Sequence, residues 1–286
     1  MIPSLTISRR EKMNYDNIDF KKVWQETMGW NSIKSDDRKS NDAVEQAFWD
    51  KIAPLYTKEY NLNNDTDLLK AKMLAKIDNG GSVLEIGPGT GNFTVFLAKK
   101  ASHVLGIDFS YAMIRELQKR LLEVKIYNVQ RHQGKWEEYD FKSSYDYIVS
   151  VNSLYRIQDM EYALTKMYAC CNKGLIIVRT IQRPFLYEIY KKYGIDVKEC
   201  LDYQLMPILF WKNGIHADVE YVKYNKKVFY KSTTELKKLL ETELGEDDLR
   251  KFGDSIFASL LNKALFKDGG LYITQPRISV IISTRK

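Results

Sequence analysis

The stretch VLEIGPGTGNF, Val83 to Phe93, decides how this chain is read. It joins a short apolar run to a helix-like one through Gly87, Gly89 and Gly91. Glycine reaches positive φ without steric cost and lets a ligand approach the backbone. A strand, a glycine loop and a helix in that order place backbone N–H groups at the carboxyl edge of a sheet, where open parallel sheets bind ligands. Three details narrow the ligand. The spacing is G-x-G-x-G, and Asn92 stands where a dinucleotide fingerprint needs its third glycine. Glu85 lies two residues before the loop, where an anionic side chain suits a cation better than a pyrophosphate. Asp108 ends the next apolar run, at a position from which a carboxylate accepts hydrogen bonds from both ribose hydroxyls. Together they select a nucleoside with positive charge and no phosphate, and they disfavour NAD.

From Ser82 onward, β-branched runs alternate with amphipathic ones. Strands are expected at Ser82–Gly87, His103–Asp108, Val124–Val129, Tyr145–Val151 and Gly174–Ile181, with helical patterns between them. That alternation indicates βαβ crossovers and a parallel sheet with helices on both faces. Later strands are expected in DVEYVKYNKKVFYKS, from Asp218, and in the terminal RISVIISTRK, from Arg277.

Two segments fall outside the alternation. Ser40–Tyr60 reads as a helix opened by Ser40, Asn41 or Asp42, with Pro54 at a kink or at the first turn of a second helix. Its apolar residues form two stripes, Trp49–Ala53–Tyr56–Tyr60 and Val44–Phe48–Ile52–Leu55. Arg183–Ala217 reads as an aromatic helical insertion carrying Tyr187, Tyr190, Tyr203, Trp211 and His216. The expected division is a tail and helical cap over 1–64, a core over 65–182 and 218–286, and a lid over 183–217.

The 286-residue chain, 44% hydrophobic and 28% charged, has the composition of a globular protein with a full core. No apolar run is long enough to span a bilayer, and the first residues lack the apolar core of a secretory signal. Met13 is a second candidate start. Cys170, Cys171 and Cys200 form neither a disulfide framework nor a metal pattern with the histidines, so no metal is expected and a reducing cytoplasm is the expected location. The net charge of +7 raises a nucleic-acid partner, but the lysines are dispersed in pairs such as Lys99–Lys100 and Lys226–Lys227, as on solvated faces.

VLEIGPGTGNFT and VLGIDFSYAMI, joined by YDYIVSVNSLYRI, resemble the motifs of the class I S-adenosylmethionine-dependent methyltransferases. The resemblance covers most of Asp65–Lys286. It implies a three-layer, Rossmann-like, seven-stranded and mostly parallel sheet, with a helical cap and a helical lid before the last two strands. It implies S-adenosyl-L-methionine as cofactor and S-adenosyl-L-homocysteine as product. Gly87, Gly89 and Gly91 then form the cofactor loop, Glu85 acts near the amino-acid end, Asp108 holds the ribose, and Phe109 and Met113 pack on the adenine. Within QGKWEEY, Lys135 stands where the family often has an aspartate, so Trp136 by stacking or Glu137 by substitution is the candidate adenine partner. Tyr60 and Asn152 complete the cofactor candidates. The acceptor would enter over the loop after the fourth strand, where no Asn/Asp-Pro-Pro-aromatic motif occurs. Trp49, Tyr155, Arg156, Tyr187, Tyr203 and Trp211 are the substrate candidates, and Tyr56, Arg156 and His216 the catalytic ones. The expected function is methyl transfer to a small molecule by a monomer or homodimer, with no membrane partner. An RNA or protein acceptor, or a non-catalytic cofactor-binding module, are the rival readings.

Overall fold

A computed structural model gives the architecture over residues 17–28, 36–61, 66–141, 144–181, 187–195 and 202–286. The chain begins with helices α1 (Phe20–Thr27), α2 (Asp36–Ser40), α3 (Asp42–Asn61) and α4 (Asp67–Leu74). An alternating series follows: β1 (Val83–Ile86), α5 (Thr94–Lys100), β2 (Val104–Asp108), α6 (Tyr111–Glu123), β3 (Val129–Gln133), β4 (Tyr145–Val151), α7 (Met160–Cys170) and β5 (Cys171–Thr180). The rest comprises α8 (Tyr187–Lys192), α9 (Asp202–Lys212), β6 (Asp218–Tyr230), α10 (Thr233–Glu243), α11 (Glu246–Leu261), β7 (Leu265–Lys267) and β8 (Gly270–Arg285).

The sheet runs β3-β2-β1-β4-β5-β8-β6, with β7 added on β8. Its first five strands are parallel, and β8 is antiparallel to both neighbours. This is the expected mostly parallel sheet, with β7 as an eighth, short strand. All four residues of β1 are buried, as expected for a central strand covered on both faces. Leu84, Ile86, Leu105 and Ile107 face a core layer closed by Trp24 of α1, Met160 and Met167 of α7, and Met206 and Phe210 of α9. Val83, Val104 and Val149 face the opposite layer, closed by Leu69 and Met73 of α4 and by α5 and α6. Alternation of period two splits each strand between these layers.

Several boundaries differ from the sequence expectation. The third strand is Val129–Gln133, not Val124–Val129, because α6 runs to Glu123 and Lys125 turns the chain at φ +56°. Its sequence VQRHQ has one buried residue, which suits an edge strand and hides it from a hydrophobic search. The fifth strand starts at buried Cys171 rather than at Gly174. Helix α1 was not anticipated; its Trp24 is 1% exposed and its indole N–H donates to the Ile157 carbonyl at 2.6 Å.

The insertion between β5 and β6 also behaves differently from a lid. Met206, Leu209 and Phe210 of α9 join the main core, and buried Asp202 pairs with buried Arg179 of β5. Beyond the carboxyl end of β5, β6 and β8 continue together as far as the Tyr230–Leu271 pair. The stretch 270–277 of β8 therefore overhangs that edge by about 25 Å, at roughly 3.3 Å per residue. One face of this overhang packs Tyr230, Leu271 and Ile273 against Ile189 of α8, Leu236 and Leu240 of α10, and Ile256 of α11. Among the described residues, no helix is long and apolar enough to cross a membrane.

Candidate active site

The glycine loop leaves β1 with three residues at positive φ: Gly87 at +68°, Gly89 at +55° and Gly91 at +89°. Their roles differ. A Cβ on Gly87 would lie 2.2 Å from the Ser153 Cβ, so only glycine lets the loops after β1 and β4 touch. At Gly89 nothing lies within 4 Å of such a Cβ, and the residue lines an open pocket. Gly91 does not line the pocket; its Cβ would meet Leu117 of α6, so its place is in helix packing rather than in the expected cofactor loop contact.

Asp108, at the end of β2, is held by two backbone donors. The Gly89 N–H bonds to Oδ2 and the Ser110 N–H to Oδ1, both at 2.9 Å. Burial pushes its carboxyl up to about 6, against the pull of those two N–H groups. Glu85 lies beneath the loop, 1% exposed, and its Oε2 has no hydrogen-bond partner. Burial lifts its pKa to about 7; the Thr94 hydroxyl lowers it and the charge of Asp108 raises it. An orphaned carboxylate oxygen under a glycine cradle calls for a cation or donor above it. The residues thus fit a cationic nucleoside.

The pocket, with about 900 Å³ of empty space counting its open mouth, has walls from three strand ends. Asp108, Phe109 and Met113 follow β2; Gly134, Lys135 and Trp136 follow β3; Asn152, Tyr155 and Arg156 follow β4. Asn152 sits at φ +55°, its side chain fixed to Thr180 through a bond from the Thr180 N–H at 2.7 Å. Trp136 is buried, and its indole nitrogen has no hydrogen-bond partner.

Helix α3 roofs this space. Asn41 caps it, its Oδ1 accepting from the Ala43 N–H at 3.0 Å. Glu45 and Trp49, one turn apart, both face the pocket. Glu45 is 1% exposed yet fully engaged: Oε1 accepts from the Trp49 indole at 2.8 Å and the Tyr155 hydroxyl at 2.7 Å, and Arg38 grips both oxygens. Burial and the Glu45 charge push the Tyr155 phenol far above its ordinary range, so it stays neutral. At the rim, Asp42 takes Arg156 at 2.9 Å and also Lys135. Partial burial raises the Asp42 pKa, but Lys135 and Arg156 outweigh it and hold the carboxyl below its usual range. Arg156 lies 5.7 Å over the Phe109 ring.

The structure therefore gathers Trp49, Gly87, Gly89, Asp108, Phe109, Met113, Trp136, Asn152, Tyr155 and Arg156 around one space; Glu85 is buried on β1 and does not line it. It does not bring Tyr203, Trp211 or His216 there. Tyr203 is buried in the main core, edge-on to Tyr221. Trp211 is 49% exposed, with its indole N–H on the Ala217 carbonyl, and His216 is exposed. Aromatic residues at helical spacing there serve the sheet flank, not the pocket. The side chains of Tyr56, Tyr60 and Tyr187 lie outside the described ones. The sequence reading took Asp42 only as a helix cap and missed Glu45, although Glu45 precedes Trp49 by one helical turn, which was a usable signal. Ser153 lies in the loop after β4, over which the acceptor was expected to enter.

A model of the methyltransferase domain family matches residues 59–243 of the chain. The chain belongs to that family. Its methyltransferase domain is of the class I, S-adenosylmethionine-dependent kind, in agreement with the two motifs and the strand order. The demethylmenaquinone methyltransferase of Listeria monocytogenes is 28% identical over 105 residues, 35% of this chain and 44% of that protein. The chain thus spans less than half the length of that curated relative. Magnesium protoporphyrin IX methyltransferase from Synechocystis, solved with S-adenosylhomocysteine, is 15% identical, covers 76% of this chain and 81% of its own, and superposes with a TM-score of 0.47. A phosphoethanolamine N-methyltransferase from Haemonchus contortus is 16% identical, covering 78% of this chain and 52% of its own, with a TM-score of 0.46.

Proposed function

We propose that the chain transfers a methyl group from S-adenosylmethionine to a small-molecule acceptor. The observation that carries this is a pocket lined by the glycine loop and Asp108 and roofed by α3, with the buried, unpartnered Glu85 carboxyl two residues before that loop. When bound, the cofactor supplies a methyl group already activated by its sulfonium, so the acceptor's lone pair forms the new bond as the carbon–sulfur pair returns to sulfur. In this reading Asp108 holds the ribose diol, and Phe109, Met113 and Trp136 sandwich the base. The carboxylate of Glu85 supports positive charge near the loop, and the neutral Tyr155 phenol offers a hydrogen bond rather than a base.

The roof supports a small acceptor. Asp42 and Glu45 tie α3 to Lys135, Arg156 and Tyr155, so the helix is held over the pocket and narrows the approach to it. Alignment and exclusion of water then do most of the work. Among the described residues no histidine lines the pocket, so the acceptor is one that loses its proton readily or to water. Titration calorimetry tests the proposal. S-adenosylhomocysteine should bind and NAD should not, and Asp108→Asn should weaken S-adenosylhomocysteine by about tenfold to a hundredfold through loss of charge-assisted hydrogen bonds. Tight NAD binding without a response to S-adenosylhomocysteine would refute it.

A further inference from the structure

The overhang formed by β6 and β8 lies on the same sheet edge as the glycine loop and Asp108. One of its faces is packed against α8, α10 and α11. Among the described residues, its tip and other face are not covered in this way. Phe229 and Tyr272 pack across the strands as a tilted pair with ring centres 5.0 Å apart, and Phe229 is 38% exposed. Leu265 and Phe266 on the adjoining β7 are 61% and 60% exposed. Lys231 and Lys267 flank Phe266 around a shallow groove, and exposed Lys263 precedes Leu265. Two acids lie close by. Asp268 sits 3.9 Å from Lys267, and Glu235 is turned onto the Lys231 backbone N–H at 2.6 Å.

We propose that this tip is a peripheral docking surface for an anionic lipid bilayer. Exposed leucine and phenylalanine side chains beside lysines match the boundary between acyl chains and negatively charged headgroups. Apolar groups enter that boundary while the flexible lysine stems keep their ammonium groups at headgroup level. A protein partner is the poorer fit: a handful of apolar side chains on a three-residue strand falls short of the roughly 800 Å² per partner of a stable interface. Docking by the tip would turn the pocket edge of the sheet toward the bilayer. The surface adds a membrane contact that the sequence reading did not expect, and it stands whether or not the pocket takes S-adenosylmethionine.

The test is sedimentation of the full chain with phosphatidylcholine vesicles, with and without phosphatidylglycerol. The chain should pellet with the mixed vesicles, weakly or not at all with phosphatidylcholine alone, and salt should release it. The variant Leu265→Asp/Phe266→Asp should bind the mixed vesicles at least about tenfold more weakly, since two partly exposed apolar side chains are lost. Lys231→Glu/Lys267→Glu should do the same. Circular dichroism and S-adenosylhomocysteine affinity of the variants check that the fold is kept. Failure to pellet with the mixed vesicles would overturn the proposal, as would equal binding to both vesicle types or retained binding by a folded double variant. Capture of a specific protein by the tip, without vesicle binding, would overturn it in favour of a protein partner.

Discussion

Gly87→Ala isolates the contact on which the pocket floor depends. Two costs arise. An alanine held at φ +68° bears the left-handed penalty of about 1–2 kcal/mol. Its Cβ would also fall 2.2 Å from the Ser153 Cβ, far inside ordinary carbon–carbon contact at roughly 3.5–4 Å. Neither loop can retreat freely. The Gly87 N–H bonds to the Ile107 carbonyl at 2.8 Å, and the Ser153 hydroxyl donates to the Ile86 carbonyl at 2.6 Å. Relief of the overlap costs one of these bonds or about 1–3 kcal/mol of strain. The total is about 2–5 kcal/mol, a large share of a typical folding free energy. Gly89→Ala carries only the backbone cost, because its Cβ meets nothing within 4 Å. Removing the Ser153 side chain should separate the terms: Gly87→Ala/Ser153→Gly should be more stable than the two single losses summed, by about 1–3 kcal/mol. Urea unfolding of the four proteins measures this. Equal destabilisation by Gly87→Ala and Gly89→Ala, or additive behaviour in the cycle, would refute the close-approach argument.

Four further outcomes follow from the structure. Glu85 and Asp108 have folded pKa values above those of an unfolded chain, so the ligand-free fold holds protons that the unfolded state releases. Their contribution to stability is full below the ordinary carboxylate range and is lost as pH rises through about 6 to 7; for Glu85 it is on the order of 3 kcal/mol. Glu85→Gln should flatten the urea midpoint between pH 5 and 8, and an unchanged slope would place the proton elsewhere. Preference for S-adenosylmethionine over its uncharged-sulfur product should rise with pH through that window, as read by calorimetry at matched ionic strength. Trp24→Ala should cost about 3–5 kcal/mol, since it empties a core site and orphans the Ile157 carbonyl; a loss below about 1 kcal/mol would show that α1 is not part of the cooperative fold. Arg179→Met should destabilise by about 3–5 kcal/mol by stranding buried Asp202, whereas Arg179→Met/Asp202→Leu should recover much of it. Unfolding curves of the pair decide this, and no recovery would mean the ion pair itself fixes α9.

The parts legible in the sequence are those where one residue type answers one physical demand. Positive φ demanded glycine at 87 and 89, and the end of β2 beside the glycine loop carries the carboxylate of Asp108, which takes the Gly89 and Ser110 N–H groups. The β-branched central strands, buried on both faces, were equally plain. The edge strand β3 was not, since VQRHQ carries no apolar alternation. Trp24 lies in a short helix preceding every motif, and only tertiary packing gives it a partner. The aromatic residues of α9 illustrate a degeneracy: helical spacing is the same for a side chain that roofs a pocket and one that fills a core. Tyr203 shows the core outcome and Trp49 the pocket outcome. The overhang was hidden because Pro276 and Gln275 interrupt the apolar pattern of β8, although Asp268-Gly269-Gly270 is a hairpin signal that marks its start.

The place of β8 between β5 and β6 bears on the order of events during synthesis. Of the described elements, β8 is the last to leave the ribosome, yet it is an interior strand that pairs on both sides. Until it emerges, β5 and β6 each present an open edge, and the space between them awaits Val280, Ile281 and Ile282. The nascent chain can assemble β1 to β5 with their helices by local crossovers, but β5 and β6 are joined only when β8 threads into that gap. A stalled or clipped product would therefore be left with two sticky edges rather than one frayed end.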